Sequence, residues 1–275
     1  MQETPAIQVQ PLHLTIRSGS TMLVTDLEGW IDNPQTGLFA HDTRYVSTYA
    51  VTIEGFKPTF LTAERPAYNC AITPYTNAKF RAATIAVDEL ALSLKISRII
   101  DEGLHEVIEV TNFTCHPVRF RLVINLECSF DDIFEVRGLH RSPPRVARFH
   151  YDAASSTVNC SYRDRNFSRC LEYQIISSDT SPRYSPNLLI FRLDLDHEQS
   201  WHAEIVTRMK GQPLGQFFSS TVTSPSGEAR AMGSHEAPAI TVTERLRAGH
   251  LDVARWGNRL PRLQTSNQIV DRAYA

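Results

Sequence analysis

The chain has 275 residues, of which 42% are hydrophobic and 21% charged, and its formal net charge at pH 7 is −2. This length can bury a substantial core in one large domain or two small ones. A nearly neutral chain offers no electrostatic attraction to nucleic acid or to an anionic membrane, and we expect neither partner. No stretch approaches 18 apolar residues and no signal peptide is visible, so we expect no membrane span.

The five cysteines, Cys70, Cys115, Cys128, Cys160 and Cys170, are widely spaced and form no C-x-x-C pair. The sequence therefore predicts neither a disulfide framework nor a zinc site. Reduced, buried thiols in a cytoplasmic protein fit this pattern best. The sequence also lacks a glycine-rich phosphate loop and an H-E-x-x-H motif, so we predict no cofactor and no metal.

Alternation of apolar and polar residues dominates the first 210 positions. In the run 118–128, every second side chain from Val118 to Cys128 is apolar, and mostly polar or charged side chains lie between them. This is the pattern of a half-buried strand, and 90–96 and 189–195 repeat it. Shorter runs of the same kind occupy 12–17, 44–53, 106–111, 145–151, 157–163, 170–176 and 202–208.

No amphipathic helix of ten or more residues is evident before residue 210. Many one-sided strands joined by short turns must pair into antiparallel sheets that cover each other. We therefore predict an all-β fold, an antiparallel β-sandwich. Asn112 and Pro117 are turn residues between runs 106–111 and 118–128, so these two runs are predicted to form a hairpin.

The composition changes after about residue 210. A stretch rich in Ser, Gly and Pro leads to a partly helical segment that Gly249, Gly257 and Pro261 interrupt. We place the sandwich domain in residues 1–242 and a linker in 243–275.

The last ten residues predict the beginning of a helix. Ser266 is a suitable N-cap, and an apolar stripe of Ile269, Val270, Ala273 and Tyr274 follows it. Two helical turns are marginally stable alone and must pack on something. We therefore expect that the chain is cut out of a longer protein; a natural terminus docked on its own domain is the alternative.

Two segments gather charged side chains. In "HDTR", Asp42 and Arg44 are two positions apart and share a face if both lie in a strand. A carboxylate beside a guanidinium suits a structural clamp, or a rigid arginine offered to a hydroxyl-rich ligand. His41 and Thr43 alternate to the other face, so a local His–Asp relay is not expected.

The second segment, "SFDDIFEVRG", holds Asp131, Asp132 and Glu135, followed by Arg137. Glycosidic bond cleavage needs two carboxylates on opposite sides of the bond, which the adjacent Asp131 and Asp132 cannot provide alone. Three interpretations stay open: a strand exit with turn-forming aspartates and an internal ion pair, a contact to sugar or to another domain, and catalysis.

The same two segments resemble patterns in the N-terminal domain of bacterial glycogen-debranching-enzyme-like proteins, the amylo-α-1,6-glucosidase family. "GLFAHDTRYVSTYAVTIEG" is similar to its Gly-hydrophobic-Phe, Asp-Thr-Arg and strand pattern, and "FDDIFEVRG" to its Asp-hydrophobic-Phe-Glu-Val-Arg-Gly segment. The two occur in order, about 90 residues apart, with alternating strands between them. "RLQTSNQIVDRAYA" is similar to the family's transition into its next domain.

The resemblance implies a β-supersandwich that precedes an (α/α)6 toroid. In that family the toroid carries the catalytic carboxylates for amylo-α-1,6-glucosidase chemistry. The implied partner is thus an (α/α)6 catalytic domain, in cis or as a separate chain, with an α-glucan as a further candidate ligand. On this basis residues 243–275 are interpreted as the linker and the start of a catalytic domain that the chain lacks.

We carry three hypotheses forward. The favoured one is a noncatalytic β-sandwich domain of a debranching-enzyme-like glycoside hydrolase. The second is a stand-alone α-glucan-binding module, with Trp30, Tyr45, Tyr49 and Trp201 as its aromatic platform. The third is a self-contained hydrolase that uses the carboxylates of 131–135. The residues predicted to contact sugar or a neighbouring domain are Asp42, Arg44, Asp131, Asp132, Glu135 and Arg137.

Overall fold

The computed structural model describes residues 12–82, 85–139, 145–163 and 167–213. This part contains eighteen strands and one short helix, α1 (Ile133–Val136). The strands are β1 (Leu14–Ser18), β2 (Thr21–Thr25), β3 (Gly37–Ala40), β4 (Thr43–Ile53), β5 (Thr59–Phe60), β6 (Glu64–Ala67), β7 (Cys70–Thr76), β8 (Phe80–Ala82), β9 (Ile85–Val87), β10 (Leu92–Ile100), β11 (Leu104–Asn112), β12 (Val118–Asp132), β13 (Arg148–Asp152), β14 (Thr157–Arg163), β15 (Phe167–Ser178), β16 (Arg183–Ser185), β17 (Leu188–Leu195) and β18 (Ser200–Pro213).

Two large antiparallel sheets enclose the core. The first has the strand order β1-β2-β3-β4-β12-β17-β16. The second runs β13-β14-β15-β18-β11-β10-β7-β5, with β6 also paired to β7, and β8 and β9 form a separate pair. One continuous apolar cluster draws residues from both sheets. The predicted all-β antiparallel sandwich is therefore confirmed.

Strand β12 shows how the alternating sequence produces this core. Its inward side chains Val118, Phe120, Leu122 and Ile124 are each at most 4% exposed. The intervening arginines at 119 and 121 are exposed. Burying one such apolar side chain contributes about 1.5–3 kcal/mol relative to leaving it in water. A shift of the strand register by one residue would turn these side chains toward solvent, and the gain would be lost along the whole strand.

The predicted hairpin between 106–111 and 118–128 is wrong. Strand β11 pairs with β10 and β18, whereas β12 pairs with β4 and β17 in the other sheet. The connection instead crosses between the sheets, and Asn112 holds it in place. The Asn112 amide group donates to the carbonyl oxygens of His116 (3.0 Å) and Leu195 (2.9 Å), and its Oδ1 accepts from the Thr114 amide. The turn residues were identified correctly, but they guide a crossover rather than a hairpin.

The four aromatics predicted as a carbohydrate platform are buried. Trp30, Tyr45 and Trp201 are each 1% exposed, and Tyr49 is 6% exposed. They occupy inward positions and pack among other core residues. For example, the ring centroids of Trp30 and Tyr75 lie 4.7 Å apart. The platform expectation is therefore wrong. The inward phase of β4 and β18 places Tyr45, Tyr49 and Trp201 in the core, and Trp30 packs there from the segment between β2 and β3.

Smaller expectations are resolved as follows. All five cysteines are free, and Cys115 is exposed while Cys70 and Cys160 are buried. Leu90 lies in a turn with a positive φ, so β10 begins two residues later than the sequence pattern suggests.

Within the described residues, no helix is long and apolar enough to cross a membrane. The linker 243–275 and the helix predicted from Ser266 lie outside the described residues, and the domain boundary at 242 stays a prediction.

Candidate functional site

Arg44 lies near the start of β4, opposite Asp131 on β12. Its Nη2 is 2.5 Å from Asp131 Oδ2, its Nε donates to Ser129 Oγ (3.2 Å), and its Nη1 donates to the Pro34 carbonyl oxygen (2.7 Å). The Arg44 side chain is 12% exposed. All three sides of the guanidinium are thus held by the domain itself, which fixes its orientation.

Asp42 is not the partner of Arg44, and the predicted Asp42–Arg44 clamp is wrong. His41 and Asp42 both have a positive φ, +47° and +58°, and form the tight turn between β3 and β4. Strand alternation begins only at Thr43, so it cannot align Asp42 with Arg44. Asp42 contributes its backbone carbonyl instead, which accepts a hydrogen bond from the Ile133 amide at 3.0 Å.

Gly37 explains part of the first motif. A Cβ at this position would lie 2.8 Å from Arg44 Cδ and 2.9 Å from the Val46 carbonyl oxygen. The second contact is with backbone and cannot be relieved by rotating a side chain. Glycine at this position therefore leaves room for the Arg44 side chain and the Val46 carbonyl beside β3.

A bulge in β12 directs Asp131 toward Arg44. The strand register shifts between Cys128 and Asp131, and Phe130 takes a positive φ of +56°. A bulky residue in this conformation is strained, and burial must compensate for the strain. Phe130 is 1% exposed and packs against the rings of Tyr45 (5.6 Å between centroids) and Tyr162 (6.2 Å).

Asp132 and Glu135 form a capping box on α1. Asp132 Oδ1 accepts from the amides of Phe134 (2.7 Å) and Glu135 (2.9 Å), and Glu135 Oε2 accepts from the Asp132 amide (2.7 Å). These bonds satisfy backbone donors that a helix N-terminus leaves unpaired. The turn-forming role among the interpretations of Asp132 therefore matches the structure.

Glu135 pairs with Arg145 rather than with Arg137. Arg145 Nη1 lies 2.6 Å from Glu135 Oε2 and 3.4 Å from Asp131 Oδ1, and its guanidinium is 5.8 Å from the Tyr162 ring centroid. Burial alone would lower the pKa of Arg145, but the hydrogen bond and charge of Glu135, with the charge of Asp131, outweigh it and raise the pKa. The expected internal ion pair exists with a different arginine, ten positions along the chain.

Arg137 stands apart from this network. It is the C-cap residue of α1 and is exposed. It lines an open groove of ≈ 560 Å³ between the outer face of β2 and β3 and one side of α1. The residues around this groove are His13, Met22, Val24, Gln35, Phe39, Ile133, Val136 and Arg137.

The structure thus brings Arg44, Asp131, Asp132, Glu135 and Arg145 into one network, which we call the α1 cluster. Its carboxylates converge on two arginines and on helix amides. A glycosidase instead holds two carboxylates apart across a cleft that admits a sugar. In the part of the chain that the structure describes, no group of three or more His, Cys, Asp or Glu residues is arranged to hold a metal ion.

A second charged network was missed in the sequence. Arg98 on β10 and Glu106 on β11 are each 4% exposed and lie 2.6 Å apart, Nε to Oε2. Arg98 also donates to the Gly29 carbonyl oxygen (2.6 Å), and the Tyr49 hydroxyl donates to Glu106 and lies 3.1 Å from that of Tyr173. Both charged residues lie at inward positions of their strands. The alternating pattern of the sequence could therefore have predicted that they are buried.

The cavity beside this buried network is too small for a sugar or a similar organic ligand. The cavity beside it measures ≈ 10 Å³, which is room for about one water molecule. Burial raises the pKa of Tyr49 and of Tyr173 well above the ordinary value, so both hydroxyls stay protonated and can donate. The network therefore joins the two sheets rather than forming a binding site.

Comparisons with known proteins identify the family of the domain. The family model described as the N-terminal domain of (some) glycogen debranching enzymes matches residues 16–206. No curated protein matches the chain. Among solved structures, a chain described as a kojibiose phosphorylase from the human microbiome has 9% identity and a TM-score of 0.50. That match covers 90% of this chain and 33% of the other, so this chain spans a third of its length. The likeness concerns the fold alone.

Two further solved structures are smaller. A galactose mutarotase-like protein from Lactobacillus casei ATCC 334 has 9% identity and a TM-score of 0.37, covering 72% of this chain and 100% of its own. The Slr1438 protein from Synechocystis sp. PCC 6803 has 8% identity and a TM-score of 0.41, covering 76% and 99%. Both TM-scores are too low to bear on the function or the fold of this chain.

Proposed function

The chain belongs to the family of N-terminal domains of some glycogen debranching enzymes, and we propose that it is the noncatalytic β-sandwich domain of a debranching-enzyme-like glycoside hydrolase. The parent activity in this proposal is amylo-α-1,6-glucosidase, in the cytoplasm. The catalytic carboxylates belong to an (α/α)6 domain, in cis or as a separate chain. The family match over residues 16–206 is the observation that carries the proposal.

The geometry of the α1 cluster supports a noncatalytic role. Asp131 is held by Arg44, Asp132 caps α1, and Glu135 is held by Arg145 and by the Asp132 amide. Each of these carboxylates has a structural partner within hydrogen-bonding distance. In this proposal the cluster gives the α1 end of the sandwich a fixed shape.

We further propose that this end of the domain faces the catalytic toroid. Strand β18, the last described element, ends at Pro213 close to the α1 cluster. The Tyr45 hydroxyl donates to the Lys210 carbonyl oxygen (3.3 Å), and Arg169, opposite Gly211 in the sheet, lies 3.4 Å from Thr43 Oγ1. The last described strand therefore ends near the α1 cluster, and in this proposal the toroid packs against this end. In this proposal Arg137, exposed at the C-cap of α1, presents its charge to the toroid or to a bordering α-glucan. The residues that shape this end are Asp42, Arg44, Asp131, Asp132 and Glu135.

The proposal is tested by incubating the purified chain with a branched α-glucan and measuring glucose release. We expect none, while a debranching enzyme that contains its (α/α)6 domain releases glucose under the same conditions. Turnover by the pure chain that Asp132→Asn and Glu135→Gln both abolish would overturn the proposal in favour of a self-contained hydrolase.

The stand-alone α-glucan-binding module has lost its supporting feature, since Trp30, Tyr45, Tyr49 and Trp201 are buried. Affinity electrophoresis in gels containing glycogen tests the module separately. We expect the migration of the chain to be unchanged by the polysaccharide. Retardation at low glycogen concentration would support the hypothesis of a stand-alone α-glucan-binding module.

A further inference from the structure

Strand β13 is one edge of the second sheet. Within the described residues it pairs only with β14, from Arg148 to Asp152 and without a shift in register. Its inward rings anchor it, because Phe149 packs on the apolar core and Tyr151 stacks on Tyr184 of β16, with 5.1 Å between ring centroids. In an antiparallel pair only alternate residues bond to the neighbouring strand. The remaining amides and carbonyls of β13 therefore point away from β14 and present a rigid row to a further strand.

The other edges among the described strands are short, irregular or covered. Strands β8, β9 and β16 have three residues each, and β5 has two. The register of β6 shifts between Glu64 and Ala67, and the outer side of β1 is bonded to the chain, since the Arg17 amide donates to the Tyr68 carbonyl oxygen at 2.9 Å. Such features protect an edge against pairing with another chain. Strand β13, with five residues, no proline and an even register, has none of them.

The outward side chains of β13 complement those of a second β13. Arg148, His150 and Asp152 alternate with the inward rings and share one face, on which the first two are exposed and Asp152 is half-buried. If two copies pair antiparallel about a two-fold axis at His150, Arg148 of each copy lies opposite Asp152 of the other. A shift of this register by two residues would lose both ion pairs, so the charges favour a single alignment.

Asp152 is held in place for this contact. Its Oδ2 accepts from the Ser155 hydroxyl (2.7 Å) and its Oδ1 from the Ala154 amide (3.0 Å). These hydrogen bonds lower the pKa of Asp152, so the carboxylate is charged at neutral pH. Each carboxylate oxygen can accept a further hydrogen bond, which leaves room for a guanidinium from another chain.

We propose that this chain forms a two-fold homodimer in which β13 of one copy pairs antiparallel with β13 of another, centred on His150. The second sheets of the two copies then join into one continuous sheet. A second copy fits this edge because the same five residues supply both charges of each ion pair. A five-residue edge gives a small interface, so we expect a reversible dimer with a dissociation constant of about 1–100 µM. The inference does not depend on the proposed catalytic partner.

Sedimentation velocity of the intact 275-residue chain, up to about 200 µM, measures this dimer. Arg148→Glu should weaken it about tenfold or more, because the introduced carboxylate faces Asp152 of the other copy. Asp152→Lys should weaken it similarly, because the introduced ammonium faces Arg148. An equimolar mixture of the two variants should regain dimers, since each introduced charge then faces its opposite. The matched control, Arg192→Glu, makes the same charge change on the exposed side of β17 and should leave the affinity unchanged.

The register is tested by cysteine cross-linking in a Cys115→Ala background, which removes the exposed thiol. His150→Cys lies on the two-fold axis and should face itself across about 5 Å between Cβ atoms. We expect a mild oxidant to give a covalent dimer. The matched control is Arg148→Cys, whose two copies would lie about 14 Å apart along the pair, and its yield should be about tenfold lower or less.

Four outcomes would overturn the proposal. They are a wild-type chain that stays monomeric up to about 200 µM, a dimer that Arg148→Glu weakens no more than Arg192→Glu, folded charge variants that stay monomeric when mixed, and equal cross-linking at 148 and 150. Because Asp152 also closes the turn after β13, circular dichroism checks that Asp152→Lys is folded. If it is not, the comparison of Arg148→Glu with Arg192→Glu still decides the question.

Discussion

At the residue scale, the pair Arg98–Glu106 makes the most specific prediction about stability. Glu106→Leu removes the carboxylate and leaves the Arg98 charge buried without its partner. Losing one member of a buried ion pair costs about 3–5 kcal/mol, so we expect the free energy of unfolding in urea to fall by this amount. The double variant Arg98→Met with Glu106→Leu should recover part of the loss, because no unpaired charge remains.

The same two strands contain a matched control. Lys95 and Glu109 are also paired across β10 and β11, with 2.6 Å between Nζ and Oε2, but their side chains are 43% and 29% exposed. Lys95→Met should change the free energy of unfolding by less than about 1 kcal/mol, as solvent-screened pairs do. Equal losses for Glu106→Leu and Lys95→Met would contradict the role assigned to burial.

The buried tyrosines predict a weakness at alkaline pH. Burial raises the pKa of Tyr49 and Tyr173 well above 10.0, their ordinary value. Above about pH 10 the unfolded state therefore releases protons that the folded state retains, and stability falls as the pH rises. Below the ordinary pKa this contribution is fully present.

Urea unfolding measured from pH 8 to 11 checks this slope. Tyr173→Phe should flatten the decline, because one proton-retaining group is removed. Tyr68→Phe serves as the control, since Tyr68 is 58% exposed and should leave the slope unchanged. Identical slopes for the wild type and Tyr173→Phe would show that this hydroxyl makes no contribution to the alkaline loss.

At the element scale, α1 depends on its capping box. Asp132→Ala removes the acceptor for two helix amides, and losing an N-cap costs about 0.5–2 kcal/mol. Asp132→Asn keeps a good acceptor and should retain most of the stability, measured by urea unfolding. An Asn variant as unstable as the Ala variant would mean that the carboxylate acts through its charge rather than as a cap.

The positions of several strands could be predicted from the sequence, but the strands with which they pair could not. The period-two runs identify β12 and β17 to within a few residues, because burial on one face dictates alternation. The crossover after Asn112 escaped prediction, since the same turn residues serve a hairpin and a change of sheet. Very short strands such as β5 and β16 carry too few residues for a periodic signal.

The ion pairs were not predicted from the sequence, for a related reason. The partner of Arg44 is 87 positions away, and the bulge at Phe130 that aligns Asp131 with it leaves no clear pattern in the sequence. Arg98 and Glu106 were within reach, because both lie in the inward phase of strands that the short segment 101–103 connects. The sequence identified four residues of the α1 cluster, Arg44, Asp131, Asp132 and Glu135, but neither Arg145 nor the pairing within the cluster.

At the scale of the whole molecule, the sandwich, its crossovers and the α1 cluster form one unit. The last described strand, β18, pairs with both β11 and β15 in the second sheet, and it ends beside the cluster that the first sheet supplies. One end of the domain therefore combines a fixed charged network, an open groove and the end of the last described strand. This arrangement supports the proposal that the α1 end of the domain faces the catalytic toroid.

The claim that the carboxylates of 131–135 shape the domain rather than cleave a bond is tested most directly by the free energy of unfolding of Glu135→Ala. The substitution removes the nearest carboxylate from Arg145, whose side chain is 12% exposed, and one acceptor from the capping box. We predict a loss of about 1.5–3 kcal/mol in urea unfolding. A catalytic carboxylate is commonly held at a cost to stability, so a variant as stable as the wild type, or more stable, would contradict the claim.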